Sequence, residues 1–266
     1  MSSSSHLSKY SSTRFVRSIV LLGLGLLIIS LSGCVYLRLL SLKKQFADFD
    51  RFVKIEVTDS FTAHFNKPVL YNKDIVTLSK LQPSSIEKHG DEENWTYNFK
   101  KLDSNNQPVV ASDTDIYYVM RFNNKKLMRS LTLSPILMRI APAEFLEMSL
   151  RSLGGAKVIK SKRQVHGNID NLPKLNRQLP KRQEIIKHLG APFSEEIVND
   201  YLLVTYHYRL ESEPLPPKLE ERRLSVTKLY FDSKTDEMVR VYGRFAGLKL
   251  SIDYRKMIAK ELEQTD

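Results

Sequence analysis

Two kinds of hydrophobic pattern divide this chain. Ile19–Ile29 is an apolar run interrupted only by Gly23 and Gly25. After residue 34 no apolar run of that length recurs, and hydrophobic positions fall at helical or strand spacing. Leu39, Leu42, Phe46, Phe49 and Val53 recur every three or four residues, with Lys43, Lys44, Asp48 and Asp50 between them. That spacing predicts an amphipathic helix over Leu39–Phe52.

Beyond it, one order of elements is written twice. In the first copy a short helix over Lys73–Leu81 follows Asn72 as N-cap. Alternation then predicts strands at Trp95–Phe99, Ile116–Phe122 and Leu127–Leu133. The second copy has a helix over Pro180–Leu189, ended by Gly190, and strands at Leu203–Leu210, Val226–Asp232 and Glu237–Phe245. A second long helix, Pro142–Leu153, precedes it, and a closing helix is predicted over Tyr254–Glu263. Tyr97 to Phe122 and Tyr206 to Phe231 are both 25 residues. Tandem duplication accounts for this spacing; the competing explanation is the aromatic alternation of any half-buried strand. A three-strand meander must lay its apolar face on something, and the helices of each copy supply cover. The expected fold is therefore α+β, a tandem repeat of two helices on a three-stranded antiparallel sheet. The first repeat would span residues 34–141 and the second 142–266, side by side as a saddle or a continuous sheet.

The composition, 42% hydrophobic and 27% charged, is that of a folded chain. Lysine and arginine number 41 against 30 acids, and three of the cations (Lys9, Arg14, Arg17) precede the apolar run, where there is no acid. The remainder carries a surplus of eight positive charges, which favours anionic lipid or acidic protein faces unless it only solvates the surface.

A basic segment, an apolar run and small residues form the export-signal pattern. Leu31-Ser32-Gly33-Cys34 resembles the bacterial lipobox. The resemblance implies a signal peptide over 1–33, cleavage between Gly33 and Cys34, and acyl chains, palmitate among them, on Cys34. No other cysteine is present. The alternative is an uncleaved anchor, since Ile19–Leu37 is long enough to cross a bilayer. Val35, not aspartate, follows Cys34. For a lipoprotein this implies the periplasmic face of the outer membrane, whereas an uncleaved anchor implies the inner membrane. Nucleic acid is not an expected partner of an exported chain.

The second copy carries Gln183-Glu-Ile-Ile-Lys-His-Leu-Gly-Ala-Pro192, then Thr205-Tyr206-His207-Tyr208 and Leu229-Tyr-Phe231-Asp232. In these it resembles the BamE/SmpA-type outer-membrane-assembly lipoproteins. That resemblance implies two helices against a three-stranded sheet, a fold that β-lactamase inhibitor proteins carry in tandem. The family's Gly-Met-Thr entry to its second helix is absent, with Arg177-Gln-Leu-Pro180 in its place, and Leu81-Gln82-Pro83 replaces Leu-Gly-x-Pro in the first copy.

No phosphate-binding loop, dinucleotide turn, His-Glu-x-x-His or Gly-x-Ser-x-Gly occurs. No enzyme activity, catalytic residue, metal or cofactor is therefore expected. His64 and His166 occupy comparable places in the two copies but lack carboxylates at ligand spacing, and His207 lies between two tyrosines. Trp95 reads as core. Asp91-Glu92-Glu93 and Glu195-Glu196 read as solvated loop carboxylates. The candidate binding elements are two long hairpin loops in matching places. Asn105, Asn106 and Pro108 mark the first; Pro214, Pro216 and Pro217 mark the second and predict a stiff, extended segment. The expected function is a non-enzymatic binding or assembly module that grips another envelope protein. The alternative is a lipid or anionic-polymer binder.

Overall fold

The computed structural model describes residues 35–110, 112–159, 164–166, 169–246 and 248–259. Two units are present, Met1–Ser41 and Leu42–Asp266. Of the first, residues 35–41 are described and are helical; Cys34 and Gly33 lie outside the described residues. Among the described residues no helix is long and apolar enough to cross a membrane.

The second unit opens with helical turns over residues 42–47 (α1) and Phe49–Phe52 (α2). A hairpin follows, β1 (Val53–Val57) and β2 (Phe61–Phe65), with Phe61, Ala63 and Phe65 of β2 buried. Helix α3 (Asn72–Ser79) starts one residue earlier than the sequence suggests. Tyr71 holds the N-cap position, and the Asp74 carboxylate accepts its backbone N–H at 2.9 Å. Then come β3 (Ser85–His89), β4 (Glu92–Leu102), β5 (Ile116–Phe122) and β6 (Met128–Leu133). Helices α4 (Pro135–Ile140) and α5 (Ala143–Ser152) cross to a small hairpin of β7 (Lys157–Ile159) and β8 (Gln164–His166). The second half adds α6 (Arg182–Leu189), β9 (Ser194–Val198), β10 (Tyr201–Leu210), α7 (Pro217–Glu220), β11 (Leu224–Asp232), β12 (Met238–Phe245) and β13 (Leu248–Asp253).

Eleven of these strands make one antiparallel sheet, ordered β1-β2-β6-β5-β4-β10-β11-β12-β13. Strand β3 pairs the first half of β4, and β9 the first half of β10. The halves of the chain meet where Phe99–Leu102 of β4 pairs Leu210–His207 of β10. Alternation places Trp95, Tyr97 and Phe99, Ile116, Tyr118 and Met120, Tyr206 and Tyr208, and Leu229 and Phe231 on the buried face. Helix ends dock there through tyrosine hydroxyls: Tyr206 donates to the Gly190 carbonyl at 3.0 Å and Tyr254 to Ile140 at 2.5 Å. Lys101 is buried among them, its ammonium donating to the Leu189 carbonyl and lying 5.3 Å from the Tyr206 ring centre. Burial pushes its pKa down.

The structure overturns the expected α+β tandem repeat of the BamE or β-lactamase-inhibitor type. The chain is mostly β, and its strands run in one curled sheet rather than in small three-stranded sheets under paired helices. Among the described residues from Asp48 onward, the longest helix has ten residues. Pairings that leave no mark on periodicity account for the difference. Strands β3 and β9 are exposed at every position, so no alternation marks them. Hairpin β1–β2 extends one end of the sheet and β13 the other. The join of β4 to β10 spans more than a hundred residues, and local pattern carries no signal for it. The closing helix is corrected over its described part, where Tyr254–Lys256 is a single 3₁₀ turn after β13; residues 260–263 lie outside the described residues. The halves do follow a common element order, α3-β3-β4-β5-β6 and α6-β9-β10-β11-β12, each clasped by one bridge, Tyr71 to Leu127 and Lys181 to Glu237.

Candidate ligand cavity

Because the sheet curls, strands from opposite ends line one cavity. Phe61 and Ala63 of β2 and Leu131 and Leu133 of β6 form one wall. Phe245 of β12 and Leu250 of β13 form another, and Leu137 of α4 with Leu146, Leu150 and Leu153 of α5 close it. The volume is about 650 Å³, inside the range of roughly 300–1,000 Å³ over which small-molecule sites fall. Helix α5 explains how the walls stay apart. Phe145 and Met148 are buried against the protein, with the Phe145 ring edge-on to Tyr254 at 4.8 Å, while the Leu146-Leu150-Leu153 stripe borders the cavity. Polar groups are confined to a few positions: Ser149 and Ser152 on α5, and Asp170, Lys249, Ser251, Asp253 and Lys256 on the opposite side. Ser149 and Ser152 spend their hydroxyls on the helix's own carbonyls, Phe145 and Ser149, at 2.7 and 2.6 Å. The charged lining residues balance, two lysines against two aspartates, and Lys256 already reaches Asp253 at 3.7 Å. An apolar container with a neutral charged rim suits a ligand recognised by hydrophobic contact.

The residues singled out in the sequence lie elsewhere. Asn105, Asn106 and Pro108 are exposed in a tight turn, where the Asp103 carboxylate accepts the N–H groups of Asn105 and Gln107 at 2.9 and 2.8 Å. Pro214, Pro216 and Pro217 are exposed as well; the backbone is extended at Pro216 and turns helical from Pro217. Pro217 opens the α7 turn, and Arg223 fastens the loop to the Leu210 carbonyl and to Glu220 at 2.6 Å. His64 bonds Glu56 at 2.8 Å inside its own hairpin, and among the described residues no group of three potential metal ligands occurs. His207 stacks on Phe193 at 3.7 Å between ring centres, and burial lowers its pKa. Glu195 and Glu196 belong to strand β9 rather than to a loop. Trp95 is core, 7% exposed.

Sequence reasoning missed the whole cavity lining. One signal was available: α5 carries apolar residues around more of its circumference than one packed face requires. No family model, curated protein or solved structure matches this chain.

Proposed function

We propose that this chain is an exported lipoprotein, anchored through acyl chains on Cys34, that holds an acyl chain or comparable apolar ligand in the cavity of its curled sheet. The observation that carries the reading is the cavity of about 650 Å³ between α5 and the two ends of the sheet. Its walls come from leucines and phenylalanines that would pack against one another if the site served only as core. Outer-membrane placement follows from Val35 after Cys34 and rests on the lipoprotein reading. Intact mass of the membrane-extracted protein, with and without a signal-peptidase inhibitor, tests the anchor; a full-length unacylated mass in both samples overturns it.

Titration of purified Cys34→Ala protein with a fluorescent C16 fatty acid tests the cavity. Saturable binding of one probe per chain is expected, weakened at least about tenfold, or about 1.4 kcal/mol, by Leu150→Trp. Leu150 is only partly buried, so the larger ring fills the cavity without displacing core. Absence of saturable binding overturns the reading.

A second reading, an assembly module gripping an envelope protein, has its own support. Val110 in the first hairpin loop is 99% exposed, and Ile197 on edge strand β9 is 78% exposed. Unpaired strand edges with apolar side chains are templates for an added strand. Photocrosslinking from position 110 or 197 in cells tests it; recovery of no envelope protein from either position rejects it.

A further inference from the structure

Three hydroxyls beside the cavity are buried without a partner. Tyr208, Ser225 and Thr227 are 0%, 1% and 1% exposed, and Tyr208 Oη, Ser225 Oγ and Thr227 Oγ1 make no hydrogen bond. The three residues are neighbours in the sheet. Tyr208 faces Ser225 directly across the β10–β11 pair, and Thr227 stands two positions along, opposite Tyr206. Buried hydroxyls are ordinarily satisfied, because losing water without gaining a partner is costly. Three in one patch call for a shared partner.

Phe245 connects this patch to the cavity. Its ring lines the cavity and lies 5.9 Å from the Tyr208 ring. Gly243 leaves the space in which the ring rests. A Cβ at that position would stand 3.0 Å from Phe245 Cε2 and 3.2 Å from Thr227 Oγ1, so ring and hydroxyl border the same gap. Rotation of one side chain would therefore join the apolar cavity to the hydroxyl cluster.

We propose, resting on the acyl-binding reading above, that Phe245 is a movable wall and that Tyr208, Ser225 and Thr227 form a polar subsite behind it. The ligand is then an acyl chain bearing an uncharged oxygen function, a hydroxyl or an ester carbonyl, part-way along its length. The chemistry excludes a carboxylate at this depth. Three neutral hydroxyls offer hydrogen bonds but no counter-charge, the Lys101 ammonium opposite Tyr208 is turned to the Leu189 carbonyl, and the buried Asp115 carboxylate lies close enough to act on Tyr208 and repels a second anion. An ionised head group stays at the rim, where Lys249 and Lys256 stand.

Displacement of the fluorescent C16 probe from the Cys34→Ala protein by stearate and by a positional series of hydroxystearates tests this. At least one hydroxystearate is expected to bind about fivefold or more tightly than stearate. Thr227→Val and Ser225→Ala, which keep shape and remove only an unpaired hydroxyl, should bring that ratio toward one while leaving stearate affinity unchanged. Equal affinity of stearate and every hydroxystearate overturns the subsite and leaves the hydroxyls to buried water alone. A preference that both variants retain overturns the assignment to these residues. Failure of every fatty acid to displace the probe, or of the probe to bind, overturns the acyl-binding reading itself, and the subsite with it.

Discussion

Glu93 shows how much one side chain can gather. Its carboxylate accepts from Lys126 at 3.0 Å, from the Trp95 indole at 3.1 Å and from Asn72 at 3.3 Å, tying α3 and the β5–β6 turn to β4. The Lys126 ammonium is the largest cause holding its pKa below the usual glutamate value. A carboxyl with a lowered folded-state pKa contributes stability that is fully present above the unfolded value and is lost as pH falls through the folded one. Trp95 is the only tryptophan, so its fluorescence reports this event directly. An acid titration should show an emission change with a midpoint below the ordinary glutamate range, and Glu93→Gln should abolish it. A midpoint at or above that range would contradict the arrangement. The unpaired hydroxyls give a prediction of opposite sign. Thr227→Val removes a buried group with no protein partner, so the denaturation midpoint should hold or rise, by up to about 1 kcal/mol in stability. A clear loss in urea melts would reveal a partner within the chain.

Among the elements, α1 packs closely against the end of α5. A Cβ on Gly154 would stand 2.5 Å from the Phe46 carbonyl oxygen and 2.6 Å from the Ala47 backbone. Backbone cannot give way as a flexible side-chain tip can. Gly154→Ala should therefore cost about 1–3 kcal/mol in a chemical melt. Gly90, in the β3–β4 turn, gives a contrasting case. Nothing lies within 4 Å of its missing Cβ, but its φ of +62° is left-handed. Gly90→Ala should lose only the roughly 1–2 kcal/mol of that conformation. Helices α3 and α6 and the central strands were legible because each has one buried face, so hydrophobic period tracks geometry. Helix α4, by contrast, buries Ile136, Leu137 and Ile140 within six residues, too short a segment for its period to be read.

At the scale of the molecule, the two halves share more than a strand pair. Phe245, from the second half, is edge-on to Phe99 at 5.2 Å, and its carbonyl accepts from Tyr118 at 3.3 Å. Residues Leu42–Asp266 should therefore unfold in one transition, with calorimetric and van't Hoff enthalpies equal. Two resolved transitions would show that the halves are separable. Phe245→Ala should cost about 3–5 kcal/mol if the ring is core alone. A smaller loss, read from the same melts, would fit a side chain that already leaves its place.

By itself the sequence determined the apolar run and lipobox-like ending, the identities of most helices and central strands, and the common order of the two halves. Those features are local: a helical or strand period needs only neighbouring residues. The tertiary structure alone decided that the meanders merge through β4 and β10, that edge strands β3 and β9 exist, and that the sheet curls. It also decided which apolar side chains of α5 are core alone and which border a cavity, because Leu146 and Phe145 are equally apolar in sequence. A cavity is a property of surfaces brought together from residues 61 to 257, and no window along the chain contains it.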